Sequence, residues 1–507
     1  MNYSPKGMYI WDAWYMDDGK GLHMYHLQRT RNMDEASTNK VQDSLGHAFT
    51  TDLIDWQELP PCLAPDPANP IDDRQPWTGS AVYHEGRSYL YYTMRGSLTE
   101  CREQYIGLAL SDDAGHFTRH HGNPVITLDS RWYADTSRPT PGIVDCRDLI
   151  VVKDPLGKGW YGYFATRQPA VTLPETSVIG CAYSEDLIHW KQQAPAYASD
   201  RFCCVEVPDV FFMNGCWYMT CLTGNVYGKR HVFSDPNLSF GTIYLVADHP
   251  AGPFHELKDN VLLGAKLPMP LSVRSFMWEG ERHILYTDRE RLKRSDREDV
   301  FFGTVTTPKL LRTSGDALQV VYCPRIEKKV KHDCIFDWNA IRSQWSKPWG
   351  QIWPLQSGTL ELGNNIRLGN PNCWSVMPLG QTPESFILDA DITLEGCLAA
   401  GFSMRHSDHM NGDFLMLDAD DQSVHYEAHP WCDFEEKRRF KIEQNRSYHL
   451  RVVNRLEHIE CYVDDVMVLS FCRYRGIGCD MGLFVESGHA VFRNLRLREL
   501  DVVMPQS

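Results

Sequence analysis

A short turn motif recurs along the first 325 residues and constrains the fold more than any other feature of the sequence. Residues 50–56 and 184–190 share the pattern Ser/Thr-x-Asp-Leu-Ile-x-Trp, and residues 111–117 form a degenerate copy. Residues 247–254 and 307–310 continue the series at intervals of about 60 to 70 residues. Each marker has the composition of a turn that leads into a strand. Repeats of this length are typical of propeller blades, so the five markers predict five blades around a channel.

The segments between the markers are short, apolar and rich in aromatic residues, and turn residues separate them. This alternation predicts an all-β structure. Examples are residues 22–27, 80–83, 88–94, 160–165 and 216–221.

After about residue 336 the marker no longer recurs, and Gly-rich turns separate strands such as 387–394. This pattern of strands and Gly-rich turns predicts a second all-β domain of the sandwich type. We therefore expect a five-bladed β-propeller at residues 1–325 and a C-terminal β-sandwich at residues 335–507, joined by a linker at residues 323–333.

The net charge narrows the class of partner. The chain has 507 residues, a formal net charge of −15 and an isoelectric point near 5.7. Because binding to nucleic acid depends on neutralising phosphates with Lys and Arg, an acidic chain disfavours nucleic acid and anionic membranes as partners. No apolar run reaches the length of about 18 residues that a membrane span needs. We expect a small neutral ligand, and the sequence leaves the oligomeric state open.

Cysteine usage bears on metals and on the compartment. The 16 cysteines include no Cys-x-x-Cys pair, so we predict no structural zinc site and assign neither a metal nor a cofactor. Residues 1–7 lack the apolar segment of a secretory signal. Together these features predict reduced, buried thiols and a cytoplasmic protein.

Three acidic residues, Asp12, Asp148 and Glu206, lie near the starts of three successive similar units. A fold with a central axis brings equivalent positions together, and paired carboxylates are the groups that cleave glycosidic bonds. Valines on both sides of Glu206 give it the apolar surroundings of a general acid. Arg147 precedes Asp148, and an adjacent cation favours the ionised form of a carboxyl group.

Four short motifs occur in a fixed order along the first domain. Residues 11–14 read Trp-Asp-Ala-Trp, 77–81 read Trp-Thr-Gly-Ser-Ala, 147–149 read Arg-Asp-Leu and 206–209 read Glu-Val-Pro-Asp. In this order they resemble the nucleophile segment and the Phe-Ser-Gly-Ser-Ala, Arg-Asp-Pro and Glu-Cys-Pro-Asp motifs of glycoside hydrolase family 32. Family 68 is a more distant likeness, and both belong to clan J, which includes invertases, fructanases and levansucrases. The resemblance covers nearly all of residues 8–325 and implies a five-bladed propeller.

The resemblance also implies a role for each acid. Asp12 corresponds to the nucleophile and Glu206 to the general acid and base. Asp148 corresponds to the residue that holds two ring hydroxyls and stabilises the transition state, with Arg147 orienting it.

Four further residues are implied to contact the sugar. They are Trp11, Gln28, Trp77 and Thr78. Trp14 is assigned to the core instead. The chain departs from the family pattern beside each acid, at Trp11, Leu149 and Val207, which bears on the identity of the substrate more than on catalysis.

The resulting hypothesis is a retaining enzyme of β-fructofuranosidase type that releases terminal fructose from sucrose or short fructo-oligosaccharides. One alternative is an arabinofuranosidase, another furanosidase or a fructosyltransferase on the same fold. The other is a carbohydrate-binding protein without catalysis, because fold does not imply function. A retaining fructofuranosidase and an inverting furanosidase differ in the stereochemistry of the product and in the spacing of their two carboxyl groups, which is larger in inverting enzymes. These two properties therefore distinguish the leading hypothesis from the first alternative.

Overall fold

The computed structural model describes most of the chain and is almost entirely β within the described ranges. These are residues 2–31, 44–100, 102–135, 144–169, 177–199, 202–225, 233–266, 270–290, 295–296, 303–345, 359–363, 365–408, 411–429, 432–474 and 480–501. The described residues include one α-helix, α1 (Trp338–Trp345). None of their helices is long and apolar enough to cross a membrane.

The first half of the chain forms four separate sheets of four antiparallel strands, in which consecutive strands are neighbours. The first sheet contains β1 (Met8–Asp17), β2 (Leu22–Thr30), β3 (Ser44–Thr50) and β4 (Gln57–Leu63). The second contains β5 (Trp77–His84), β6 (Arg87–Met94), β7 (Tyr105–Ser111) and β8 (Thr118–Arg119). The third contains β9 (Cys146–Lys153), β10 (Trp160–Arg167), β11 (Ser177–Ser184) and β12 (Lys191–Ala198). The fourth contains β13 (Glu206–Met213), β14 (Cys216–Gly224), β15 (Phe240–Ala247) and β16 (His255–Ala265).

The next strands pair in the same antiparallel manner, but their sheet continues into the C-terminal domain. They are β17 (Pro270–Trp278), β18 (Glu281–Asp288), β19 (Thr304–Val305), β20 (Lys309–Ser314) and β21 (Ala317–Val321). β18 pairs with both β17 and β20, and β20 pairs with β21. The continuation runs through the pair Val321 and Val466. The all-β propeller is therefore confirmed by four separate blades, whereas this last set is not a separate sheet.

The C-terminal domain is a β-sandwich, as predicted. Its strands are β22 (Val330–Cys334), β23 (Thr359–Leu362), β24 (Ile366–Gln381), β25 (Ser385–Glu395), β26 (Ala399–Asp408), β27 (Asn411–Asp418), β28 (Ser423–His429), β29 (Glu435–Arg439), β30 (Ser447–Arg455), β31 (His458–Val463), β32 (Val466–Cys472) and β33 (Asp480–Leu500). The long strand β33 pairs with β22, β24, β25 and β26. The segment predicted as a linker is ordered, because a 3-10 helix at Pro324–Lys329 leads directly into β22.

The sequence markers lie where the third strand of a sheet ends. In the first copy the Asp52 carboxylate accepts hydrogen bonds from the backbone N–H groups of Ile54 and Asp55, both at 2.9 Å. Asp186 does the same at 2.9 and 2.8 Å with the N–H groups two and three residues ahead, and Asp113 makes the equivalent pair. Such Asx turns reverse the chain toward the fourth strand, so the structural role assigned to these markers is confirmed.

Apolar cores lie between neighbouring sheets, which is how the blades hold together. One core joins the first and second sheets around Trp14 and Tyr92, and another joins the second and third around Tyr91 and Phe164. The assignment of Trp14 to the core is confirmed, since it is 1% exposed. The cysteines within the described ranges form no disulfide, and most of them are buried, whereas Cys373 and Cys432 are exposed, against the prediction of buried thiols.

Candidate active site

The first strands of successive blades meet in a closed ring at the centre of the N-terminal domain. β1 contacts β5, β5 contacts β9, β9 contacts β13, β13 contacts β17, and β17 returns to β1. Each of these strands has a break in its antiparallel register. At four of the breaks a residue other than glycine has positive φ: Asp12 at 40°, Asp148 at 62°, Val207 at 50° and Ser272 at 51°. A bulge re-aims the side chains beside it, and here side chains from different blades meet at the bulges.

The break in β5 uses a glycine instead. A Cβ on Gly79 would lie 2.0 Å from the carbonyl oxygen of Tyr91 on the neighbouring strand. The glycine in the motif at residues 77–81 is therefore required by the close approach of two backbones.

Asp12 is held by hydroxyl groups from two other strands of the ring, β5 and β17. Thr78 Oγ1 donates to Asp12 Oδ2 at 2.5 Å, and the Ser272 hydroxyl donates to Oδ1. The surrounding protein raises the pKa of Asp12 by desolvation, while the bonds from Ser272 and Thr78 and the charge of Arg274 lower it. Asp12 nevertheless keeps part of its surface exposed. Asp12 is therefore held in one orientation and is still accessible to a ligand.

Arg147 joins three carboxylates. Its Nη2 donates to Glu206 Oε2 at 3.0 Å, its Nη1 donates to Asp145 Oδ1 at 2.7 Å, and its Nε lies 3.6 Å from Asp148 Oδ2. The guanidinium is itself fixed, because Asp145 also accepts a hydrogen bond from Arg167. Glu206, like Asp12, is partly exposed, whereas Asp148 is 3% exposed.

Burial decides the ionisation of Asp148. Desolvation raises its pKa to about 7, and the charges of Glu206 and Asp12 act in the same direction. Arg147 and the N–H of Val207, which donates to Asp148 Oδ2 at 3.0 Å, lower the pKa by less. Arg147 favours the ionised form of Asp148, as predicted, but one cation shared among three acids does not offset the loss of water, so the pKa stays above its ordinary value.

The bulge that aligns Glu206 is strained. Val207 has φ 50°, a conformation that β-branched residues rarely adopt. The N–H of Val207 reaches Asp148 only through this turn. Strain of this kind persists where the surroundings over-determine it, and such places are often functional.

Arg274 connects three strands of the ring. Its guanidinium donates to the carbonyl of Pro208 and, at 3.4 Å, to that of Gly79, so it links β17 with β13 and β5. Burial lowers its pKa, while the charges of Asp209, Asp148 and Asp12 raise it. Arg274 is thus a second cation, beside Arg147, that interacts with the acids at the centre of the ring.

The residues predicted to contact the sugar occupy different environments. Gln28 is buried and donates from Nε2 to Ser44 Oγ at 3.0 Å. Trp77 donates from Nε1 to Gln75, and the Arg95 guanidinium lies 3.6 Å from the centroid of its ring, so one face of Trp77 is covered. Trp11 packs partly buried beside the core of the first two blades.

Thr78, Ser272 and Arg274 show where the sequence argument was incomplete. Thr78 was predicted to contact sugar, but the structure places its hydroxyl on Asp12. Ser272 and Arg274 were not predicted. A signal was available, because Leu-Ser-Val-Arg at residues 271–274 opens a strand with polar residues in the same way as the earlier units.

Fold and site together define a β-propeller protein with a cluster of acidic residues at the centre of the ring. Residues 12–239 match the family model described as the glycosyl hydrolases family 32 N-terminal domain. The resemblance to family 32 that the motifs indicated is thereby confirmed.

The chain is also similar to curated and solved proteins. A β-fructofuranosidase from Zea mays is 33% identical over 132 residues, which cover 24% of this chain and 17% of the maize protein. Among solved structures, a family 32 β-fructofuranosidase from Bombyx mori in complex with sucrose superposes with a TM-score of 0.64 at 16% identity, covering 98% of this chain and 93% of the other. A fructan 1-exohydrolase from Cichorium intybus in complex with 1-kestose gives 0.69 at 14% identity, covering 100% and 98%. These two likenesses show the fold.

Proposed function

We propose that the protein is a retaining glycoside hydrolase of β-fructofuranosidase type, which releases terminal fructose from sucrose or short fructo-oligosaccharides. The observation that carries the proposal is the meeting of Asp12, Asp148 and Glu206 at one centre, where hydroxyls and Arg147 fix them. The sucrose and 1-kestose in the two solved relatives support the substrate class.

In the proposed reaction Asp12 attacks the anomeric carbon of the fructosyl unit. Glu206 gives its proton to the departing oxygen, so the leaving sugar departs as an alcohol and a covalent fructosyl–Asp12 ester remains. Glu206 then takes a proton from water, and the resulting hydroxide attacks the same carbon and frees Asp12. Two inversions give net retention, for which the two carboxyl groups must lie about 5 to 5.5 Å apart.

Asp148 and Arg147 serve the same reaction without forming a bond to the sugar. With its pKa raised to about 7, Asp148 has both protonated and ionised forms populated near neutral pH. It can therefore donate to one ring hydroxyl and accept from another as charge develops on the ring. Arg147 positions Glu206 and Asp148 relative to each other.

The finer architecture belongs to the same proposal. Strands β17, β18, β20 and β21 would be the fifth blade, a reading supported by the contacts of β17 with both β13 and β1. Trp11, Gln28 and Trp77 would form the wall around the sugar.

The location of the protein in the cell is also part of the proposal. The absence of disulfides among the described cysteines supports a reducing, cytoplasmic location.

Release of sugar from sucrose, 1-kestose and an arabinofuranoside panel tests the proposal. We expect fructose from the first two substrates and a loss of about 10²- to 10⁴-fold in Glu206→Gln, the usual contribution of a general acid. Cys373→Ser, at an exposed position of the sandwich domain, is the matched control and should keep full activity. Arabinose release, or no release from any of the substrates, would overturn the proposal.

A further inference from the structure

One hairpin of the sandwich domain carries a group of side chains that resembles a metal site. Successive residues of a strand point to opposite faces, so His425, Glu427 and His429 share one face of β28. Glu435 on β29 lies directly opposite Glu427 in the antiparallel register. Cys432 lies between the two strands, and its N–H donates to the carbonyl of Ala428 at 2.9 Å, which holds it at the end of β28.

The potential ligand atoms converge. One ligand atom each of Glu427, His429 and Cys432 lies within 4.8 Å of the other two. His429 Nε2 is 2.5 Å from Glu427 Oε1. His425 Nε2 lies 3.4 Å from Glu427 Oε2 and 3.2 Å from Glu435 Oε1. Ligands about 2.0 to 2.3 Å from a shared tetrahedral ion lie about 3.3 to 3.8 Å apart, so an ion would enter by replacing the direct contact between His429 and Glu427.

A buried imidazole beside this group holds one of its carboxylates. His425 is 7% exposed, and its Nε2 lies within ion-pair distance of Glu427 and Glu435, although neither contact has the geometry of a hydrogen bond. Outer groups of this kind orient the residues that bind a metal. The ring of His429 is already oriented, because it packs edge-on against Trp374 at 4.5 Å and Phe414 at 5.2 Å.

We propose that this hairpin binds a single Zn²⁺ ion through Glu427, His429 and Cys432. An imidazole, a carboxylate and a thiolate form a mixed ligand set that zinc accepts, whereas Ca²⁺ and Mg²⁺ prefer oxygen ligands. The prediction of no metal rested on the absence of Cys-x-x-Cys pairs. The pattern Glu-x-His-x-x-Cys at residues 427–432 takes its spacing from a strand and the following turn instead.

The position of the hairpin gives the ion a structural role. Glu435 Oε2 lies 2.6 Å from Lys266 Nζ, and Glu436 accepts a hydrogen bond from the Lys266 N–H at 3.0 Å. Lys266 directly follows β16 of the propeller domain. An ion that fixes β28 and β29 therefore fixes the part of the sandwich that contacts the propeller. We expect it to raise the thermal stability without being needed for sugar cleavage.

Calorimetric titration of the chelator-treated full chain with ZnCl₂ tests the site. We expect saturation at one ion per chain, and at least tenfold weaker binding in His429→Ala and in Cys432→Ser, since even outer partners of a metal site contribute about 10- to 100-fold. Cys373→Ser is the matched control, because Cys373 is also an exposed cysteine, and it should bind like the parent chain.

The absorption spectrum of bound Co²⁺ distinguishes loss of a metal ligand from a general disturbance of the fold. Co²⁺ added to the parent chain and to Cys373→Ser should produce a thiolate-to-cobalt charge-transfer band that Cys432→Ser lacks. Persistence of the band in Cys432→Ser, or zinc binding of equal strength in the parent chain and His429→Ala, would overturn the proposal. Both readouts are independent of sugar release, so they hold or fail separately from the proposed catalytic activity.

Discussion

Two buried groups of charges in this molecule have opposite balances of acid and base. At the centre of the propeller, Asp148 and Glu206 share Arg147 with Asp145, and Asp12 lies near them. Burial and the acidic neighbours raise the pKa of Asp148 to about 7. We call this the acidic cluster. It lacks enough cations to neutralise its acids.

The second group joins the two domains. Glu460 is 1% exposed, and its Oε1 is shared by Lys309 of β20 and Arg455 of β30, both at 2.5 Å, while the Tyr462 hydroxyl donates to Oε2. Burial opposes ionisation, but the two cations outweigh it and lower the pKa of Glu460 to about 2. We call this the interdomain cluster.

The difference shows how a carboxyl group of an active site can be distinguished from one that only stabilises the fold. Asp148 and Glu460 are both buried, and burial alone raises the pKa of any carboxyl group. Where cations outnumber the acid, as at Glu460, the acid stays ionised and its ion pairs stabilise the fold. Where acids outnumber the cations, as around Asp148, a carboxyl group can exchange protons near neutral pH, and active sites need this ability.

Asp12→Asn breaks the acidic cluster at the residue that would bond to the sugar. The substitution keeps the shape of the side chain but removes the nucleophile, so we expect kcat for sucrose to fall by about 10⁴-fold or more. Steady-state fructose release measures this. Retention of more than about a hundredth of the parent activity would contradict the role of Asp12.

Glu460→Gln breaks the interdomain cluster instead. It leaves Lys309 and Arg455 buried beside a neutral group, so we expect the free energy of unfolding at pH 7 to fall by about 3 to 5 kcal/mol. The folded-state pKa of Glu460 lies below its unfolded value, so its stabilisation is present above about pH 4.5 and is lost as the pH falls toward 2. Urea unfolding at pH 7 and pH 3 should therefore show a smaller difference from the parent chain at the lower pH.

Asp148→Asn should have the opposite effect on stability. The folded-state pKa of Asp148 lies above its unfolded value, so protonation favours the fold and this stabilisation is lost as the pH rises through about 7. At pH 8 the variant should be more stable than the parent by about 2 to 4 kcal/mol, and at pH 4 the two should be alike. Thermal unfolding at both pH values, with fructose release as the measure of lost activity, provides the check. A variant that is less stable than the parent at pH 8 would show that ionised Asp148 stabilises the fold, as ionised Glu460 does.

Thr78→Val removes one hydroxyl from Asp12. Hydrogen bonds to charged groups contribute about 1.5 to 3 kcal/mol, so we expect a loss of about 10- to 100-fold in kcat. The hydroxyl favours ionised Asp12, so its removal should move the acid limb of the pH–rate profile to higher pH. Thr78→Ser keeps the hydroxyl and should restore both properties. An unshifted profile in Thr78→Val would mean that Thr78 acts only by packing.

The sequence predicted the parts of this account that depend on the identity of residues in short motifs. Asp12, Asp148 and Glu206 were found because each lies in a motif near the start of a repeat, and the turn markers were found because Asx turns need a particular residue. The β-propeller and the sandwich followed from the length of the repeat and its disappearance.

The features that the sequence did not reveal depend on contacts between distant residues. The pKa of Asp148 follows from burial and from acids on other blades, which the neighbouring Arg147 in the sequence did not reveal. Ser272 reaches Asp12 from 260 residues away, and positive φ at Val207 follows from no local preference of valine. Such features arise from the closure of the ring rather than from any one strand.

The most direct test of the catalytic proposal is the anomeric configuration of the product when sucrose is cleaved in aqueous methanol. Methanol competes with water for the fructosyl–Asp12 ester and traps the configuration as a stable methyl fructoside, which NMR identifies. The proposal predicts methyl β-fructofuranoside from the parent chain and none from Asp12→Asn. The α-anomer, or β-product that persists in Asp12→Asn, would contradict a double displacement through Asp12.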